Sequence, residues 1–390
     1  MKRFENIFRT LCTLVIAVNI SIPSHAQDDR LAVMDSVEVG LLTCSPHNEV
    51  YSLYGHTALH WHDLRTGQHW VFNYGVFDFQ KPHFVWRFIM GQTDYMLECT
   101  SNLQRWCDYY RKWGSSIEEQ ILDLTPAEKL QLERALTINL KNPVYRYNFF
   151  YDNCSTRPRN IIEQNLNGKV TYGEREGYDG ATFRQLIHLC TAGHPWAAFG
   201  NDLLLGVKAD KKTTQEERQF LPENLYWDFD HATVDRQGKR SPLVLRKVTL
   251  VPQGVQTIEK EFPLSPLACT LLLLIISTAL LAYEMHTGRK LIWWDALLML
   301  ATGLAGCILL LMIFSEHPAT SINFQLLILN PVALPFIYAV VKKRKTVWFR
   351  LQFVLLLLAL LGSFWQDYAE GMEFVALSLL LRNLTHRNDK

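Results

Sequence analysis

Apolar and polar positions divide the chain into three stretches. Beyond residue 262 the apolar runs are long: residues 264–283, 291–314, 324–341 and 351–365 are each long enough, or nearly so, to cross a bilayer as a helix. A fifth run, residues 372–381, is apolar but short, so it either spans with local thinning or lies in the interface. Between residues 28 and 262 the apolar positions come instead as short aromatic-rich strand patterns, turn signals and a few amphipathic helices, a mixed α+β pattern without an internal repeat. The clearest pair has residues 57–61 alternating as a strand, residues 63–68 turning with Gly67, and residues 69–75 returning beside the first strand. At the other end Met1, Lys2 and Arg3 precede a short apolar run over residues 11–20 that closes near Ser24 and Ala26, the pattern of a cleaved signal peptide. The expected organisation is a leader over 1–26, an exported domain over 27–262, and an all-α membrane domain of four to five helices over 263–390.

Charge sets the orientation. If the exported domain lies outside, alternate loops are cytoplasmic, and these carry Arg289 and Lys290, then Lys342, Lys343, Arg344 and Lys345, with Arg382 and Arg387 after the last run. The opposite loops, residues 315–323 and 366–373, hold no Lys or Arg. Leader and charge thus agree on a multi-pass protein of a bacterial inner membrane with its exported domain in the periplasm. A formal net charge of +1 leaves no basic field, so nucleic acid is not expected as a partner.

Of the eight cysteines, Cys12 lies in the leader and Cys269 and Cys307 in apolar runs, leaving Cys44, Cys99, Cys107, Cys154 and Cys190 exported. An odd number in an oxidising compartment allows two bridges and one free thiol, and Cys99 and Cys107 are spaced for a local bridge. The free thiol is assigned to Cys154 because of what surrounds it. Asp152 or Asn153 is a natural N-cap, Cys154 would open a helix running through residues 160–166, and Pro158 is tolerated only in the first turn. A thiol there meets unpaired amides and the positive end of the helix dipole, which enriches the thiolate. The same amides can hold an oxyanion. A cysteine in a capping sequence is by itself most often buried or bridged, so the reading depends on a base.

His56 is the leading base. Gly55 before it allows close backbone approach, and the strand that follows brings a second strand alongside. An orienting partner for the imidazole comes from Asn73, Asp78 or His60, and nothing in these residues alone decides among them. A metal reading of His56, His60 and His62 competes. On one strand, however, His56 and His62 are separated by roughly 20 Å at about 3.3 Å per residue, too far for one ion. No metal or other cofactor is expected.

The pattern of histidine before cysteine resembles the permuted branch of the papain-like NlpC/P60 superfamily, which includes lecithin:retinol acyltransferase. The nearer resemblance is to the Lnb-type family, membrane-bound lipoprotein N-acyltransferases. It rests on Ser52-Leu-Tyr-Gly-His56-Thr-Ala-Leu, Phe72-Asn-Tyr-Gly-Val-Phe-Asp-Phe79, Phe88-Ile-Met-Gly91 with Tyr95, Tyr151-Asp-Asn-Cys-Ser-Thr-Arg157, Glu316-His-Pro-Ala-Thr and Asn330-Pro331, and spans most of the chain. It implies an α+β papain-like periplasmic domain followed by an all-α transmembrane bundle. It also implies transfer of an acyl chain from a phospholipid, through a Cys154 thioester, to the α-amino group of a diacylglyceryl-cysteine lipoprotein. Ser52, Tyr54, Asn153, Ser155, Arg157 and His317 are the further candidates for substrate contact or the oxyanion hole, His317 from a periplasmic loop that either caps the site or is a solvated connector. Rival readings are a membrane-anchored cysteine peptidase or cell-wall amidase, a phospholipase, and a non-enzymatic lipoprotein-binding or assembly factor.

Overall fold

A computed structural model describes residues 24–47, 49–77, 82–177, 180–256 and 262–386. Most of the expected leader, residues 1–23, lies outside the described residues, as do Asp78 and Arg387. In chain order the first domain reads α1 (Ser24–Met34), β1 (Val37–Cys44), β2 (His56–Asp63), β3 (Gln68–Val76), α2 (Phe84–Ile89), β4 (Asp94–Thr100), α3 (Leu103–Lys112), β5 (Ile117–Leu122), α4 (Pro126–Lys141), β6 (Val144–Arg146) and α5 (Thr156–Gln164). It continues with β7 (Lys169–Thr171), α6 (Phe183–Thr191), α7 (Pro195–Leu204), α8 (Gln215–Arg218), α9 (Pro222–Asp230), β8 (Thr233–Arg236), β9 (Lys239–Pro242) and β10 (Val244–Val251). Seven strands form one antiparallel sheet in the order β10-β5-β1-β2-β3-β4-β6, and β7, β8 and β9 form a small second sheet. The α+β character expected of this half is therefore present.

The hairpin expected around Gly67 forms. His62 lies opposite His69 and Asp63 opposite Gln68, with the Asp63 carboxylate accepting from the amides of Arg65 and Thr66 to shape the turn. Because side chains alternate across a strand, the sheet buries both faces. Leu41, Leu59 and Trp61 pack with Leu132, Ile162 and Leu225 from α4, α5 and α9, whereas Leu42, Ala58 and Val71 pack with Cys107 and Tyr110 from α3. Each large apolar side chain buried in this way contributes about 1.5–3 kcal/mol. The helix starts are set locally: Thr125 and Glu128 form a capping box for α4, with Pro126 in its first turn. The expected local bridge between Cys99 and Cys107 is not formed; Cys107 packs as a thiol in the core beneath α3.

Beyond residue 262 the chain is helical: α10 (Pro266–Thr287), α11 (Ile292–Ile313), α12 (Ala333–Val341), α13 (Trp348–Gly362) and α14 (Met372–Thr385). Helices α10 and α11 have 22 residues each and are long and apolar enough to cross a membrane. Leu271, Leu272 and Ile275 of α10 and Leu297, Leu304 and Ile308 of α11 stay exposed, as lipid-facing positions must. One expectation is corrected. Residues 324–341 are not one helix but a 3-10 turn (Phe324–Leu327), a break at Asn330 and Pro331, and the nine-residue α12. Gly306 of α11 has no side chain at the point where Leu329's carbonyl presses against it, which seats the break on α11. Polar side chains satisfy the backbone freed near the break. Gln366 Oε1 accepts from Phe324 N at 2.7 Å, Gln325 Oε1 accepts from Ala369 N at 2.9 Å, and Gln325 Nε2 donates to Asp202 O at 2.8 Å.

Two further features belong to this half. At the end of α10 remote from the first domain, Arg382 of α14 is buried between Glu284 of α10 and Asp295 of α11, at 2.8 and 2.7 Å, and His386 joins Asp295 at 2.9 Å. At the near end, the segment after α11 is held against the first domain. Glu316 N donates to Met90 O at 2.9 Å, and Arg146 pairs with Glu316 at 2.6 Å.

Candidate active site

The site is built where the turn before α5 meets the first residue of β2. Asn153 makes that turn: its Oδ1 accepts from the amides of Ser155 (2.8 Å) and Thr156 (2.9 Å), and its Nδ2 donates to the carbonyls of Phe149 (2.9 Å) and Phe220 (2.8 Å). All four bonding positions of the amide are thus used. Of the two caps weighed from the sequence it is Asn153, while Asp152 turns outward to Arg157. Cys154 lies in the turn immediately ahead of α5 rather than within the helix, and Pro158 falls in the first turn, where its missing N–H costs nothing.

His56 opens β2 directly after Gly55, whose φ is +73° and where a Cβ would lie 2.8 Å from the Cys44 carbonyl oxygen, which excludes a larger residue. The imidazole Nε2–H donates to Asn73 Oδ1 at 2.7 Å, which leaves Nδ1 to face the Cys154 thiol. The Cys154 and His56 side chains are hydrogen-bonded to each other, and the Thr57 amide and Ser155 hydroxyl also bond the sulfur. Gly75 closes this cluster from β3. A Cβ on it would lie 3.4 Å from Cys154 Cβ and 3.5 Å from His56 Cε1, and its φ is +110°, where the β3–β4 register shifts.

Electrostatics favour the ion pair. Burial by itself raises the Cys154 pKa, but the adjacent His56 charge and the bonds from His56, Thr57 and Ser155 outweigh it, so the thiol titrates below its ordinary range. Burial lowers His56, and the Cys154 charge with the bonds to Cys154 and Asn73 reverses this, so the imidazole titrates above its ordinary range. The neighbouring thiols behave in the opposite way: burial pushes Cys44 up to about 12 and Cys190 up to about 11.

His56, Asn73, Gly75 and Cys154 open onto a cavity of about 500 Å³. Its walls are aromatic, with Tyr51, Tyr54, Phe77, Tyr95, Trp106, Tyr109, Tyr110, Tyr147, Phe149 and Phe220, while Glu98, Thr100, Asn102 and Arg105 supply polar lining. Tyr95 and Tyr147 stack at 4.0 Å, and Trp106 tilts over His56 at 6.1 Å. This size suits one small ligand or an acyl chain.

The remaining sequence candidates divide. Tyr54 and Asn153 line the cavity, and the Tyr54 hydroxyl accepts from Asn201 at 2.7 Å. Ser155 sits beneath, sharing a 3.0 Å hydrogen bond with Thr57. Ser52 is spent on His47 and on the carbonyls of His47 and Glu49, Arg157 is paired with Asp152 and lies over the Tyr145 ring, and His317 donates to the Phe88 carbonyl at 2.7 Å; none of these three lines the cavity. His60, weighed as an orienter, bonds Glu119 at 2.6 Å and His69 at 2.9 Å, and His62 stacks on His69. His56, His60 and His62 therefore do not converge. Sequence reasoning missed Gly75, Thr57, Trp106 and the residue 220–222 wall; only Gly75, beside Asn73 in the returning strand, left a local signal.

Two family models together match about three quarters of the chain: the Lnb N-terminal periplasmic domain over residues 26–188, which contains His56, Asn73 and Cys154, and the Lnb transmembrane domain over residues 257–389. The chain belongs to the Lnb family. It is accordingly a membrane protein with a periplasmic domain, in a family linked to lipoprotein processing and consistent with an enzyme. No curated protein and no solved structure matches it.

Proposed function

We propose that this Lnb protein is a lipoprotein N-acyltransferase of the inner membrane, its catalytic domain in the periplasm. The observation that carries the reading is the Cys154–His56–Asn73 arrangement at the floor of an aromatic cavity, on a domain held to membrane helices. A cysteine at a helix start, a histidine and an orienting asparagine are the set that papain-like enzymes use. A lowered thiol pKa beside a raised imidazole pKa is what a nucleophile and its base require.

In the proposed cycle His56 Nδ1 takes the Cys154 proton and the thiolate attacks a phospholipid ester carbonyl. The amides of Ser155 and Thr156 are already committed to Asn153, so the Cys154 amide is the backbone donor left near the oxyanion. Collapse breaks the ester C–O bond, and His56 returns its proton to the departing lysophospholipid. The lipoprotein α-amine then attacks the thioester carbonyl, His56 accepts the amine proton, and the C–S bond breaks to release the amide and return that proton to Cys154. Tethering to the bundle raises the local concentration of both lipid substrates.

The test is mass spectrometry of a synthetic diacylglyceryl-cysteine lipopeptide incubated with phospholipid and detergent-purified protein, wild type against Cys154→Ala. The expected result is the mass of one acyl chain gained on the α-amine, absent in the variant. Cys154-dependent fatty-acid release without lipopeptide modification would instead make the protein a phospholipase, cleavage of the peptide a peptidase, and an unchanged lipopeptide with no lipid release a binding factor.

A further inference from the structure

Helix α2 and its flanks join β3 to β4, and the residues at both ends of this insert, Phe77 and Tyr95, line the catalytic cavity. The helix itself carries Val85, Trp86 and Phe88 with relative exposures of 69%, 52% and 48%, an apolar cluster out of place on a surface bathed in water. Its one charge is neutralised, since Arg87 pairs with Asp94 at 2.5 Å.

What lies beside α2 identifies what covers it. The chain leaving α11 at Ile313 runs directly against the insert: Glu316 N donates to Met90 O, His317 Nε2 donates to Phe88 O, and Gln92 reaches Glu316 at 3.2 Å. Gly91 makes this approach tolerable, because a Cβ there would be 2.7 Å from His317 N. Helix α2 thus sits a few residues from the end of a helix long and apolar enough to cross the bilayer. At the same end of the bundle Phe314, Phe364 and Trp365 are exposed in the manner of an interfacial aromatic belt.

We propose that the Val85–Trp86–Phe88 face of α2 inserts into the outer leaflet of the membrane that α10 and α11 cross, at the boundary between headgroups and acyl chains, and forms the side entrance from that leaflet to the cavity. Aromatic residues with one charge satisfied suit that boundary. An acyl chain entering beside α2 reaches Phe77 and Tyr95 without passing through water. The membrane contact stands on geometry alone; its use as a lipid entrance rests on the acyl-transfer reading.

The experiment uses the full chain in nanodiscs of phosphatidylethanolamine and phosphatidylglycerol, with benzoyl-phenylalanine in place of Trp86 or, as a control, of Leu64 in the hairpin at the far end of β2. Irradiation is expected to add the mass of one phospholipid to the intact protein at position 86 and none at position 64. Equal yields at both positions, no lipid adduct at 86, or cross-linking to a second copy would overturn the membrane contact. On the same discs, Trp86→Glu is expected to slow turnover of phospholipid several-fold more than turnover of a soluble short-chain ester. Equal slowing of the two would remove the entrance role while leaving the lipid adduct to stand.

Discussion

Asn73 offers the sharpest test of the site, because its carboxamide touches the imidazole and not the sulfur. In Asn73→Ala the 2.7 Å bond to His56 Nε2 is lost, and with it one of the interactions that raise the imidazole pKa. A hydrogen bond to a charged group contributes about 1.5–3 kcal/mol, so losing it from a charged transition state lowers kcat/KM roughly 10- to 150-fold. The sign of the pH effect follows. Cys154 titrates below, and His56 above, its ordinary value because each charge stabilises the other. Weakening the imidazolium lowers the His56 pKa and raises that of Cys154, so the thiolate appears only at higher pH. The readout is the rate of iodoacetamide alkylation at Cys154 against pH, with Cys154→Ala as background and lipopeptide acylation measured in parallel. Burial makes Cys44 and Cys190 slow at neutral pH, at about 12 and 11, so the Cys154 signal separates from theirs. Asn73→Asp keeps an acceptor and is expected to restore the profile. An Asn73→Ala protein that melts normally and shows wild-type alkylation and kcat/KM would refute the orienting role.

Four other substitutions test the same structure. Gly75→Ala is expected to cost about 1–3 kcal/mol from the positive φ, its Cβ meeting Cys154 and His56 only at ordinary contact distance; an unchanged melting temperature would rule out this backbone strain. Asn153→Ala removes a cap that also holds the Phe149 and Phe220 carbonyls, and a loss of about 2 kcal/mol should appear in denaturant titration of the periplasmic domain within the full chain. Arg382→Met leaves Glu284 and Asp295 buried without their cation, which should cost about 3–5 kcal/mol and lower thermal stability in detergent, whereas Glu316→Ala, at an exposed pair, should cost less than about 1 kcal/mol.

What could be read from the chain was whatever nearby residues decide among themselves. A carboxamide before a helix start, a glycine before a strand and a hairpin turn at Gly67 each act within a few residues, and they placed Cys154, His56 and the β2–β3 pair. The orienter could not be chosen the same way. Asn73 lies near the end of the returning strand, and its meeting with His56 depends on the register shift at Gly75, set by pairing with β4 rather than by β3 itself. His60 had the right chemistry and lies on the same strand as His56, but Glu119, reaching across from β5 over Gly40, claims it. In the membrane half, hydropathy counts apolar residues without registering that Pro331 and the close approach to Gly306 divide residues 324–341. The polar partners that make that break tolerable, Gln366 and Gln325 with Ala369, are more than forty residues apart.

That break also bears on why the periplasmic domain cannot swing freely over the membrane helices. Asn323 Nδ2 donates to Leu203 O, Gln325 Nε2 to Asp202 O and Gln366 Nε2 to Leu205 O, so three side chains from two segments between the membrane helices hold the end of α7. Arg184 anchors the same stretch from the other side, buried against Asp202 at 2.9 Å and Asp210 at 2.6 Å. Glu316 and His317 hold the β3–β4 insert at Met90 and Phe88. A single tether would leave the domain free to rotate, and an ester in the leaflet would meet Cys154 only in a fraction of orientations. Two attachments, one through α7 and one through the insert, fix both height and direction, so that under the proposed acyl transfer the entropy of aligning site and lipid is lost on folding rather than at each turnover.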